Sequence, residues 1–196
     1  KDSIEVVRES KVYKDSVDRK NNKFAARNLL YGYKFQNSNK DFEIEVQSPL
    51  TAVHYNTVEG DLMDYELKFT KWKQKEGTHL SVSWFNRYGF YSSRYYSKLR
   101  AHYRFNRSNR MHIRAMGGHY VEQFQEDAIN PLINALYTIL LEENYMKLYE
   151  HSFGELGWGM EVTNGLRVNT SMYFGQRRDL RNATQLNNTF IDQKNK

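Results

Sequence analysis

Lys98, Arg100, His102 and Arg104 recur at every second position of one stretch, and that spacing puts four cations on one face of an extended strand. Arg114, from a neighbouring stretch with the same pattern, extends the stripe. With aromatic residues interleaved, such a surface can hold phosphate or nucleic acid. It can equally line a wetted barrel interior, where Asp64 and Glu66, or an inserted loop, pair with it across strands. The long apolar face opposite the stripe favours the interior, and nucleic acid is not an expected partner.

The other chemistry-bearing residues form no complete set. Of the six histidines, His54, His79, His102, His112, His119 and His151, no two sit at a helical metal-binding spacing. His102 and His112 can approach across a loop, but no cysteine or carboxylate completes a zinc site. Glu59, Asp61 and Asp64 are carboxylates that could be sought for acid–base work, as are Glu142 and Glu143. The last two are sequence neighbours on an expected helix and point apart. No nucleophile elbow or phosphate-binding glycine loop exists. The expectation is a chain without catalytic residues, metal or cofactor.

The elements that carry these residues alternate apolar and polar positions over about eleven residues, six times. In 95–105 the odd positions are Tyr95, Ser97, Leu99, Ala101, Tyr103 and Phe105, opposite the basic stripe. Strands are expected at 62–72, 79–91, 95–105, 111–121, 153–162 and 166–176, each paired antiparallel with its neighbour. Ordinary soluble strands run about five or six residues. Eleven residues, tilted by about 40°, rise roughly 25–30 Å, the height of the apolar band of an outer-membrane barrel. Leu99, Ala101, Tyr103, Ile113, Val168 and Met172 are then expected on the lipid side, with Arg100, His102, Arg114 and Asn169 inside. Strand-end aromatics such as Trp72, Tyr88, Phe90 and Tyr173 suit interfacial girdles or sugar-stacking platforms. Gly117–Gly118 predicts a bulge or a close backbone contact.

The period changes at Asn130–Pro131, a cap and first-turn proline, and predicts a helix over 131–150. Its stripe of Leu132, Leu136, Ile139 and Leu140 is expected to pack on protein. Earlier, Ile4, Val6 and Val12 suggest a strand start, 15–22 reads as a loop, and 29–35 and 42–46 read as strands. Asn164–Gly165 is a hairpin turn.

The totals agree. The chain has 196 residues, a formal charge of +6, 15 Tyr, 11 Phe and no cysteine. No apolar run is long enough for a membrane-spanning helix. The mean hydropathy of −0.83 is compatible with a barrel, which turns only alternate residues to lipid. The expected organisation is 1–60 as strands and loops leading into a barrel, 61–184 as barrel strands with the helix, and 185–196 as a polar tail. The reading is an internal fragment of a longer protein.

Several motifs recur in order. They are Asn56-Thr57-Val58-Glu59-Gly60, Arg87-Tyr88-Gly89-Phe90, Gly117-Gly118, Asn130-Pro131-Leu132-Ile133-Asn134 through Leu136-Tyr137-Thr138, Asn144 to Glu150, Asn164-Gly165-Leu166 and Arg177-Arg178. The set resembles an uncharacterised family of Bacteroidota outer-membrane proteins, which joins a carboxypeptidase-regulatory-like β-sandwich to a C-terminal barrel. The chain departs from that pattern at Asp61 and Asp179. The resemblance implies that the sandwich and further strands lie outside this chain, and it carries over no catalytic residue.

The fold class expected is therefore all-β, an antiparallel meander of long strands belonging to an outer-membrane β-barrel, with one helical insertion. The function expected is a structural, assembly or transport component of the cell outer membrane, with membrane lipid and other envelope proteins as partners. A soluble β-sandwich that binds carbohydrate or another anionic ligand is the alternative.

Overall fold

Alternating aromatic, β-branched and polar residues build one antiparallel sheet. The computed structural model describes residues 6–8, 10–73, 77–105, 108–124, 129–141 and 146–180. In chain order the elements are α1 (Lys11–Asn21), α2 (Asn28–Tyr31), β1 (Tyr33–Asn37), β2 (Phe42–Val46), α3 (Pro49–Ala52), β3 (Val53–Asn56), β4 (Gly60–Lys73), β5 (Thr78–Gly89), β6 (Arg94–Arg104), β7 (His112–Gln123), α4 (Pro131–Leu141), β8 (Leu148–Thr163) and β9 (Leu166–Asp179). The sheet order is β1-β2-β4-β5-β6-β7-β8-β9, and β3 pairs onto the start of β4. All pairings are antiparallel, as the meander predicts. β2 pairs directly with β4, so the strands before and after residue 60 share one sheet.

Register sorts the side chains into rows. One row runs through every long strand: Phe35, Ile44, Phe69, Val82, Ala101, Ala115, Leu156 and Met172. Leu156 is 58% exposed and Met172 73%, so nothing among the described residues covers this apolar face. The row ends in β9, all of whose residues are exposed and which, among the described residues, pairs only with β8. Two rows towards the 90–93 turn, Asn86, Ser97, His119, Ser152 and Gln176 pair in turn and give the apolar face a polar border. Trp84 Nε1 donates to Ser97 Oγ at 2.8 Å there.

The two ends of the sheet differ. The connections 38–41, 74–77, 105–111 and 164–165 are short and share one end. The long connections 47–59 and 124–147 lie at the other, with the tight turn 90–93. The apolar core sits at this long-connection end and joins Val58, Tyr96, Tyr120, Val121, Met146, Leu148 and Leu180.

Four expectations are corrected. Residues 15–21, expected as a loop with Asn22, and Val12, expected in a strand, belong to α1, which starts where Ser10 Oγ accepts from Tyr13 N–H and is capped by Asn22. This helix docks by polar contacts: buried Asp18 accepts from Ser38 N–H at 2.7 Å, and Asn22 Nδ2 donates to Gln36 O. It therefore shows no apolar stripe to read. Second, 29–31 is a helical turn because Asn28 Oδ1 accepts from Ala25 N–H and Asn28 Nδ2 donates to Gly32 O, and β1 starts only after Gly32. Third, the helix expected over 131–150 ends at Leu141 within the described residues, and Leu148–Glu150 already pairs in β8. Fourth, that helix is inverted. Asn134, Ala135 and Thr138 are buried, whereas Leu136 and Leu140 are exposed, because α4 turns its polar side to β3. The side chains of Leu132 and Ile139 lie outside those described, as do residue 4, Glu142, Glu143 and the tail 185–196.

Gly117–Gly118 makes no bulge, since the register runs unbroken on both sides. Gly118 has φ +151°, and a Cβ there would stand 2.3 Å from Ser97 O. The close contact is the reason for the glycine.

Candidate functional site

The face opposite the apolar row carries the charges. It is concave, because one cavity of about 1050 Å³ is lined from β4 to β9, by Trp72, His79, His102, His112 and Asn169 among others. A second, of about 630 Å³, opens between Asp64, Arg87, Lys98, Tyr120 and Glu122. Register places Lys98, Arg100, His102, Arg104 and Arg114 together on this face.

At the long-connection end the face is closed by an inserted loop. Asn56 Oδ1 accepts from the backbone N–H of Val58 and Glu59, at 2.9 and 2.8 Å, and folds the loop 57–59 inward. Asn56 Nδ2 donates to Glu59 Oε2, and Glu59 receives Arg87 Nε at 2.9 Å. Arg87 Nη1 reaches Asp64 Oδ2 at 3.1 Å, and Tyr120 donates to the other Asp64 oxygen. Glu59 and Arg87 are both buried. Two fixed carboxylates on one guanidinium make a strut, not an acid–base pair with a free lone pair. Gly60 permits the loop to turn: its φ is +72°, and a Cβ there would strike Tyr91.

Beside it lies a set that sequence reasoning missed. Lys98 Nζ meets Glu122 Oε1 at 3.1 Å and stands 4.3 Å from the Tyr120 ring centre. Glu122 Oε2 accepts from His151 Nδ1 at 2.7 Å, and His151 Nε2 contacts the Tyr173 hydroxyl. Gly175 leaves room for this last contact, since its Cβ would lie 2.5 Å from the Tyr173 oxygen. A carboxylate that orients an imidazole towards a hydroxyl can move a proton. Neither large cavity is lined by His151 or Tyr173. The expected helix over 131–150 hid the start of β8, and with it the position of His151. Alternation continued to Glu122 would have found the partner of Lys98.

The rest of the stripe behaves differently. Arg100 lies over the Phe85 ring, 5.2 Å from its centre, with Nε 3.5 Å from Met116 Sδ. Asp64, expected to serve the stripe, holds Arg87 instead. His102 and His112 do meet, with ring centres 5.4 Å apart. Arg104 pairs in register with both His79 and His112, and Arg114 with His102 and Gly157. Glycines at 157 and 159 make room for Arg114 and His112, whose atoms lie 2.7 and 2.6 Å from the positions a Cβ would take. Glu161 serves this region with two contacts, to Arg110 at 3.3 Å and Arg167 at 3.8 Å. Among the described residues, no three histidines or carboxylates converge to hold a metal ion.

Residues 27–196 match the model of a family of unknown function (DUF5686), in its C-terminal domain. No curated protein and no solved structure matches the chain.

Proposed function

The chain belongs to the family of unknown function whose model it matches, and we propose that it forms part of an outer-membrane β-barrel. In this reading it is a structural, assembly or transport component without catalytic activity, surrounded by lipid and by other envelope proteins. The observation that carries the reading is the uncovered apolar row from Phe35 to Met172, set against the charged face behind it. Strands of 11 to 16 residues from β4 to β9 suit a bilayer better than a soluble sheet. The open edge of β9 invites further strands to close the sheet. A carboxypeptidase-regulatory-like domain ahead of the barrel, and a Bacteroidota origin, belong to the same proposal. So does orientation: the short turns 38–41, 74–77, 105–111 and 164–165 face the periplasm, and the helix and inserted loop face outward.

The Glu122–His151–Tyr173 set is, in this reading, a strut that fixes the inner wall. The soluble alternative needs a second layer over the apolar row. Cysteine labelling separates the two. The chain has no cysteine, so Met172→Cys and Ser171→Cys each place one reporter in it, read against the unsubstituted protein as background. In the full-length protein in cell envelopes, a lipid-phase probe should label Met172→Cys, and an aqueous maleimide Ser171→Cys. Equal labelling of both by the aqueous reagent, or recovery of the protein without detergent, refutes the barrel.

A further inference from the structure

Among the described residues, the cavity at the short-turn end is lined by more cations than carboxylates. Four strands bring His79, His102, Arg104, His112 and Arg167 to it, and Arg110 reaches it from the β6–β7 loop. Glu161 is its one carboxylate among the lining residues, already shared between Arg110 and Arg167. Arg114 lies one register row from Arg104. Arg104 and Arg114 have no ion pair among the described residues. At the closed end, by contrast, Arg87 and Lys98 are each held by carboxylates. Arg104 and Arg114 are open to solvent here, and a concave wall lined by one sign of charge favours an anion.

We propose that this cavity binds a phosphate-class anion, gripped by Arg104 and by the imidazoles of His79, His102 and His112. A guanidinium offers the forked donors that a phosphate accepts, and imidazoles add donors from two sides. His112 Nδ1 donates to Arg110 O at 3.0 Å, so its Nε2 donates to an anion only when the ring carries both protons. The volume of about 1050 Å³ admits a phosphorylated headgroup as well as a free anion. Trp72 supplies an apolar wall beside it. The site depends on the curl of the sheet and not on what covers the apolar face.

The test uses the full-length protein in detergent, with two probes: inorganic pyrophosphate, and micelles doped with phosphatidic acid. Calorimetry should show saturable binding of at least one probe. Binding by pyrophosphate assigns a free anion, and binding by doped micelles alone assigns a lipid headgroup. Affinity should fall steeply as salt is raised, because the grip is between charges. The double substitution His102→Gln, His112→Gln should weaken binding, because it removes two of the imidazoles. Arg104→Gln should weaken binding about tenfold or more, the worth of a charge-assisted contact. If that variant does not fold, Asn169→Asp, which adds a carboxylate to the cavity wall, should weaken binding instead. Arg177→Gln, on the same face beside Tyr149 and outside the cavity, should bind like the parent. Absence of binding by both probes, or equal weakening by Arg177→Gln, overturns the proposal. A cavity that binds nothing in a protein that still labels from lipid at Met172→Cys leaves the barrel reading standing.

Discussion

Tyr120 on β7 donates its hydroxyl hydrogen to Asp64 on β4, across the two strands that separate them in the sheet. In a flat sheet, three strand spacings of about 4.8 Å put such residues roughly 14 Å apart. The bond therefore exists only because the sheet curls strongly towards its charged face. The ring contact between Phe85 and Tyr120, with centres 6.5 Å apart, lies under the same curl.

Removing the hydroxyl tests how far that contact holds the curve. Tyr120→Phe should lower stability by about 1.5–3 kcal/mol, the range for a hydrogen bond to a charged group. Urea titration in micelles should show an earlier midpoint. An unchanged midpoint would mean that the strands curl without it.

Glu59 is the sharper case. Glu59→Ala leaves the buried Arg87 with Asp64 as its remaining carboxylate, so the loss should fall near the lower end of about 3–5 kcal/mol. Glu59→Ala combined with Arg87→Met should recover part of that loss, because the buried guanidinium goes with its partner and Asp64, a quarter exposed, keeps Tyr120. If the double variant is no better than the single one, the strut is not electrostatic.

Neighbouring positions on β9 separate the two faces. Met172→Lys should cost about 2–4 kcal/mol in a bilayer, and Ser171→Lys far less. Refolding yields into lipid vesicles give the comparison. Similar losses at both positions would contradict the assignment of faces.

The helix α4 makes a prediction opposite to the one its apolar stripe suggests. Asn134 is fully buried and Leu136 is 59% exposed. Asn134→Leu should destabilise the fold, and Leu136→Asp should leave its melting temperature unchanged. The reverse result would restore the apolar side as the packed one.

His54 gives a pH dependence. It lies in β3, within the 47–59 connection and outside the long strands. Burial holds its imidazole below the ordinary histidine value, with Asp64 opposing and Arg87 reinforcing the shift. Its Nδ1 is buried without a hydrogen-bond partner among the described residues. The unfolded chain takes up the proton more readily. The contribution is thus fully present above about pH 6.5, and is lost as pH falls from there towards the depressed folded value. His54→Gln should flatten the fall in melting temperature between about pH 7 and pH 5. A parallel fall in parent and variant would assign the effect to other groups.

The strands were legible because each turns two different surfaces to its two sides. Tyr103 and His102 differ at every step of the alternation, and register carries that difference across the sheet. The helix α1 was not legible because it docks through Asp18 and Asn22, residues that also suit a loop. The direction of α4 was not legible either, because periodicity finds a stripe without saying which side is buried. In the charged face, alternation placed all five residues of the expected stripe. Their partners could not be read, since Glu59 arrives by a loop inserted from beyond β3 and Glu122 from a neighbouring strand. Pairings of that kind depend on the curl, which no single strand encodes.

The meander also sets an order of assembly. Each hairpin joins strands adjacent in the chain, so its closure costs little entropy and can run quickly. Tyr120 and Asp64 are 56 residues apart, and their contact must wait until four strands stand in register. A sheet paired but not yet curled would leave its apolar row and the β9 edge both bare to water. In that state the chain is most prone to aggregate, and a holding chaperone has the most surface to grip.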